Sequence, residues 1–432
     1  RITLKLMLDL RLIRIQPDFV KQQLANLGAD PSVVDRILDA DERRRTVLKA
    51  TEEAQARLKT TSKEIGRRRA QGEDTAETEE EARALREVIR ESEASLGPIE
   101  TELLDLQLQV PNLPSPNVPV GADETENEIL RIEGEPRSFA FTPKPHWELG
   151  EELGIIDFDR GVKIAGSRFY VLKGDGARLQ RALISWMLDL HRERHGYEEV
   201  YPPFMALPQC LVGTGQLPKF ADTMYLDRIE DLYFIPTAEV PVTNMYRDEI
   251  LPGSALPIKH VAYTACFRRE AMSAGRDVRG IKRGHQFDKV ELVKFTRPEH
   301  SDAELAGLLS DAEDVARGLG LAWRVVRMCT GDLSFTAAEK LDIELWAPGC
   351  GEWLEVSSCS NFRDFQARRA GIRFKDTGGK PEFVHTLNGS GLALPRTMIA
   401  VMENGQREDG SIVIPEILRP YLGGQETISR QG

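Results

Sequence analysis

The chain has 432 residues, of which 41% are hydrophobic and 29% charged, the balance of an ordinary soluble protein with two or three domains. No apolar run approaches the ~20 residues of a membrane-spanning helix, and five scattered cysteines without a C-x-x-C pair argue for a reducing cytosol and against a disulfide framework. The formal charge is −12, so a site for a polyanion has to be a local concentration of cations, and the seven histidines form no ligand-spaced cluster that would call for zinc.

At the N-terminus, Met7 opens the more natural-looking MLDLRLIRI, so residues 1–6 read as an upstream extension rather than fold. Asp9 and Arg11 interrupt the only apolar stretch there, and no secretory leader is expected. Val47, Thr51, Ala54, Leu58, Thr61 and Ile65 then step by alternating fours and threes, a heptad seam. Leu85, Ile89, Ser92, Leu96, Ile99, Leu103 and Leu106 form a second seam beyond the polar breaker AQGEDTAET. The spacing predicts an antiparallel hairpin of two helices of roughly 35 residues, an arm on the order of 50 Å long. A coiled-coil dimerisation element is the other reading of such heptads, and the short turn favours pairing within one chain. Pro98 inside the second seam predicts a kink or a restart. Lys59, Lys63, Arg67, Arg68 and Arg69 cluster at the end of the first helix, where they could follow a phosphate backbone. Acidic neighbours from Glu73 to Glu81 offset them, so a solvated helix face is the competing reading.

VPNLPSPNVPVG, with four prolines, is a stiff linker and the clearest boundary in the chain. The expected domains are 1–110, a linker at 111–121, and 122–432. Beyond the linker a helix is predicted from Asp175 to Arg194, followed by strand-like runs at 197–203, 225–237, 259–267, 286–295, 322–328, 340–348 and 353–361 and a final helix after Pro395. Hairpin-like connections point to an α+β fold with an antiparallel sheet flanked by helices. No P-loop and no strand-linked G-x-G-x-x-G occurs.

The densest chemistry lies in FRREAMSAGRDVRGIKRGHQFDKVE, residues 267–291, where Arg268, Arg269, Arg276, Arg279 and Arg283 share a loop with Gly275 and Gly280. Arginine forks grip phosphate, and glycines let backbone approach it; a solvated charged hairpin is the alternative. Glu291 and Glu355 sit in otherwise apolar strands, where a carboxylate needs a metal, a cationic ligand or an arginine. A structural ion pair would explain one of them, but not both beside an arginine-rich loop and the Gly-Ser-Gly turn at 389–391. Together the segments hold triphosphate grips (Arg268, Arg279, Arg396), an aromatic face (Phe287), a metal-capable carboxylate (Glu355), and short polar groups sized for a small amino acid (Thr237, Glu239, Glu291, Ser390).

The segments PTAEVPVTN, FRREAMSAGRDVRGIKRGHQFDKVE, EVSSCSNFRDFQARR and TLNGSGLALPRTMIAVMENGQ closely resemble seryl-tRNA synthetases, a class II aminoacyl-tRNA synthetase family of bacterial type. The likeness extends to the opening DLRLIR, the arm, the linker and IPEILRPYLGG. It implies a class II catalytic domain on an antiparallel sheet, an N-terminal tRNA-binding domain at 1–110, a homodimer joined near 175–203, and a cytoplasmic location without membrane association. The implied substrates are L-serine, ATP and tRNA(Ser), the resemblance leaves open whether selenocysteine tRNA is a further acceptor, and the implied cofactor is Mg²⁺.

The resemblance also implies roles. Thr237, Ala238 and Glu239 belong to the serine loop, with Glu239 facing the ammonium, and Glu291 accepts the serine hydroxyl while Asn388 and Ser390 complete the pocket. Arg268 bridges the serine carboxylate and the α-phosphate, Glu270 reads the adenine amino group, Phe287 stacks on the base, and Arg396 clamps the far phosphates. Arg269, Arg279, Gly284, Val356 and Ser357 join the ATP site, and Glu355 and Ser358 hold Mg²⁺ and phosphate. The tRNA would lie on Lys59, Lys63, Arg67, Arg68 and Arg69. Gly284 stands where a valine is more frequent, Met272 where a glycine is, and Leu394-Pro395 where Val-Gly is.

Overall fold

Two long helices dominate the first of two compact units, which ends at Pro111 in a computed structural model that describes residues 8–270 and 279–430. Residues 1–6, Met272, Gly275 and Arg276 lie outside the described residues. Short helices α1 (Leu10–Ile15) and α2 (Pro17–Asn26) precede α3 (Val33–Ala70) and α4 (Ala76–Leu108). Asp41 on α3, buried, takes both Arg14 Nε and Nη2 from α1 at 2.7 Å and Arg45 Nε at 3.0 Å, a bidentate tie between the short and long helices.

Helices α3 and α4, of 38 and 33 residues, pack along both predicted seams, every member of which is buried or half-buried. The polar segment between them is a turn in which Gly72 takes φ +72°. Pro98 does not restart α4, which runs through it to Leu108. Proline removes the bond to the carbonyl of Ala94, and both residues are exposed, so water can satisfy that carbonyl.

The second unit, Asn112–Gly432, is built on eight strands. In chain order they are β1 (Glu128–Glu133), β2 (Glu198–Glu199), β3 (Ile258–Phe267), β4 (Gln286–Thr296), β5 (Trp323–Arg327), β6 (Glu339–Ala347), β7 (Glu352–Arg363) and β8 (His385–Ala393). Their spatial order is β1-β5-β6-β7-β8-β4-β3-β2, antiparallel except where β2 joins β3. The segment 385–393 is the correction to the sequence reading: Gly389-Ser390-Gly391 is the middle of a strand, not a turn. Its register sets Ser390 opposite Glu291 and Asn388 opposite Val293.

One face of the sheet carries Val290, Leu292, Leu341, Ile343 and Leu387 into the main core, beneath α5 (Asp175–Glu193), α7 (Ser301–Leu319) and α8 (Leu394–Gly405). Leu179, Leu183, Trp186 and Met187 of α5, and Leu305, Leu308, Ala312 and Val315 of α7, recur at helical spacing on the buried side. The other face is apolar at one end, under α6 (Glu239–Asn244) and the helix Phe365–Ala370, and polar over the rest. That polar area is the site.

Candidate active site

Strand alternation places Phe287, Lys289 and Glu291 of β4 side by side on the polar face, next to Asn388 and Ser390 of β8. In β7 a bulge between Glu355 and Ser357 makes Glu355 pair with Glu344 and Ser358 with Asp342. Simple alternation would send Glu355 and Ser358 to opposite faces; the extra residue returns them to one. The Ser358 hydroxyl then donates to Glu355 Oε1 at 3.1 Å. These groups line a cavity of about 670 Å³.

One end of the cavity is a buried carboxylate pair. Asn388 Nδ2 donates to Glu239 Oε2 at 3.0 Å and to Glu291 Oε1 at 2.9 Å. Lys289 forms a close ion pair with Glu291, and its Nζ donates to the Thr237 hydroxyl at 3.0 Å. Gln366 Nε2 donates to Glu239 Oε1, and the Thr386 hydroxyl fixes the Gln366 amide at 2.8 Å. Two carboxylates thus face a single ammonium, with Glu291 only 1% exposed. Burial, and then the charge of Glu291, push the Glu239 carboxyl up to about 7. An incoming cation would relieve both.

The other end is cationic. Arg268 sits with its guanidinium 5.1 Å from the Phe287 ring centroid, and its Nε donates to the Pro236 carbonyl at 3.2 Å. Arg396, in the first turn of α8, donates to the Glu355 carbonyl at 2.7 Å and stands 3.5 Å from its carboxylate. Glu270 pairs with Arg283 at 3.7 Å. Protein surrounds Glu355, yet 45% of its side chain is open to the cavity. Burial works against its ionisation, but Arg396, Lys340, the Ser358 hydroxyl and Arg268 outweigh that and hold the carboxyl down at about 2.

Of the residues singled out from sequence, Thr237, Glu239, Arg268, Glu270, Gly284, Phe287, Glu291, Glu355, Val356, Ser358, Asn388, Ser390 and Arg396 line this cavity. Ala238 instead packs into the apolar cluster under α6, and Ser357 is buried, donating to the Ser390 carbonyl at 2.6 Å. Arg269 and Arg279 are not among the lining residues. Lys59, Lys63, Arg67, Arg68 and Arg69 belong to the other unit. Sequence reasoning did not single out Lys289, Lys340 or Gln366. Lys289 was reachable, since it lies two residues before Glu291 on one strand face. Gln366 carried no signal, because its role depends on its own short helix meeting α6 and the distant strand β8.

The sheet and its bipolar cavity define a class II aminoacyl-tRNA synthetase, and the class II core domain model (G, H, P, S and T) matches residues 223–405. The seryl-tRNA synthetase N-terminal domain matches residues 7–114. The serine–tRNA ligase of Thermomicrobium roseum is 62% identical over 426 residues, 98% of this chain and 95% of that protein. That of Roseiflexus sp. (strain RS-1) is 59% identical over 98% of this chain and 100% of its own length. The crystal structure of seryl-tRNA synthetase from Pyrococcus horikoshii complexed with ATP is similar with a TM-score of 0.94 at 39% identity, covering 99% of this chain and 100% of that one. The chain belongs to the seryl-tRNA synthetase family.

Proposed function

We propose that the chain activates L-serine with ATP to seryl-adenylate and transfers the seryl group to the 3′ end of tRNA(Ser). The observation that carries this reading is the buried pair Glu239 and Glu291 bridged by Asn388, with an excess of negative charge for an ammonium and an acceptor at a depth where a hydroxyl would be fully desolvated. Such a pocket rejects alanine, because the hydroxyl's partners would be left unpaired.

In the first step the serine carboxylate attacks the α-phosphorus in line and pyrophosphate leaves. A carboxylate nucleophile needs no general base. The obstacle is bringing two anions together, which Arg268 offsets while Arg396 holds the departing phosphates and Phe287 and Glu270 the base. Arg283 pairs with Glu270 beside that base position. Glu355, kept ionised, and the adjacent Ser358 hydroxyl are hard oxygen donors that would hold Mg²⁺, which supplies charge neutralisation for the triphosphate. In the second step the ribose 3′-hydroxyl of the tRNA takes the seryl group and AMP leaves. The helical arm, with its basic cluster, would read tRNA by backbone and shape. A homodimer in the cytoplasm belongs to the same reading, supported by the family and by five free cysteines suited to a reducing compartment. No helix among the described residues is long and apolar enough to cross a membrane.

Charging a tRNA(Ser) transcript with labelled serine tests the proposal. Ester formation on that transcript, and none on a transcript lacking the long variable arm, is expected; equal charging of both would contradict the arm's role.

A further inference from the structure

A second cluster of titratable groups lies outside the cavity: the ligand atoms of His146, Cys350 and Glu403 are all within 4.8 Å of one another. Glu403, fully buried on α8, takes five donors. Its Oε1 receives the His146 amide at 2.9 Å, His146 Nδ1 at 3.0 Å and the Cys350 thiol at 3.1 Å. Its Oε2 receives the amides of Gly349 at 2.8 Å and Cys350 at 3.0 Å. The spacing would suit a metal, but the ring's bonds exclude one. The Ile281 amide donates to His146 Nε2 at 3.1 Å, so Nε2 carries no proton. Nδ1 therefore carries it and has no lone pair to offer.

What the cluster does is join three elements that converge on the nucleotide end of the cavity. Helix α8 carries Arg396 in its first turn, the Gly349-Cys350 turn leads into β7 with Glu355, and Ile281 precedes Lys282, Arg283 and Gly284 in the cavity wall. Gly280 has φ +75°, and a Cβ there would run into the imidazole, so the segment is shaped to rest on the ring.

We propose that His146 is a positioning residue for nucleotide binding, locking the Gly280–Gly284 segment to α8 through the Ile281–His146–Glu403 relay. The inference rests on the reading of the cavity as an ATP site. Two near-isosteric variants separate the halves of the relay. His146→Asn keeps a donor where Nδ1 stands and loses the acceptor for Ile281; His146→Gln keeps an acceptor where Nε2 stands. In the full chain, calorimetric titration should show ATP weakened roughly tenfold in His146→Asn and within about twofold of the parent in His146→Gln, with serine affinity unchanged in both. Gly280→Ala should follow His146→Asn. Amide hydrogen exchange at Ile281 should accelerate in His146→Asn alone of the two ring variants. Equal effects of both ring variants on ATP, or unaltered exchange at Ile281 in His146→Asn, would overturn the proposal. Absence of serine-dependent pyrophosphate exchange in the parent counts against the functional reading instead, and the Ile281 amide still decides the relay.

Discussion

Arg396 grips Glu355 twice, donating to its backbone carbonyl at 2.7 Å and standing 3.5 Å from its carboxylate. The cation proposed for phosphate and the carboxylate proposed for Mg²⁺ therefore neutralise each other. A magnesium–triphosphate unit offers each a better partner at once. The pair holds the clamp in register without presenting an uncompensated charge in the cavity.

Replacing Arg396 with alanine should lower serine-dependent pyrophosphate exchange by about 10²-fold or more, with the loss in the ATP term. Lysine should recover only part of it, since an ammonium lacks the planar fork. Steady-state kinetics at varied ATP and at varied serine separate these outcomes; a rise confined to the KM for serine would contradict the assignment.

The second prediction concerns pH. Burial and the neighbouring Glu291 raise the Glu239 carboxyl from 4.5 to about 7. As pH falls through 7 the free enzyme protonates there and loses a partner for the serine ammonium, so kcat/KM for serine should fall while ATP affinity holds. Serine binding near neutrality should release a proton, which calorimetry in buffers of different ionisation enthalpy detects. The stability sign is opposite to that of a salt-bridged carboxylate. The destabilisation from Glu239 is absent below 4.5, grows between 4.5 and 7, and is complete above 7. Glu239→Gln should therefore raise the Tm at pH 8 while impairing serine binding.

Specificity gives the third. Glu291→Ala should cut kcat/KM for serine by about 10²-fold and leave that for alanine much less affected, since only serine loses its hydroxyl partner. Parallel exchange assays with the two amino acids measure the ratio. Retained discrimination would move the hydroxyl elsewhere in the pocket.

A fourth prediction separates the two ends of the basic cluster on α3. Arg67 already pairs with Glu64 at 2.6 Å and Arg69 with Glu79 at 2.8 Å, whereas Lys59 and Lys63 are exposed. Reversing the two lysines to glutamate should weaken tRNA charging roughly tenfold and flatten its salt dependence, with exchange unchanged. Charging that is insensitive to the reversal would make the cluster a solvated helix face.

What was legible in the sequence follows from how local each signal is. The α3–α4 seams are set by a seven-residue period and survive intact, and Glu291 stands out because apolar neighbours flank it in β4. Strand β8 was hidden because two glycines interrupt it and its side chains are specified by β4 and β7 rather than by β-propensity. The shared face of Glu355 and Ser358 depends on a bulge that no alternation rule contains, so their pairing came from family likeness alone. Gln366 and the Glu403–His146 relay are contacts between residues far apart in the chain, and nothing local marks them.

The central claim is that the Glu239–Glu291 pocket admits serine to an ATP site. ATP–pyrophosphate exchange, run with each amino acid in turn, tests it most directly. Serine should drive the fastest exchange, with alanine and threonine far behind; exchange driven best by either of those, or none with serine, would contradict the account.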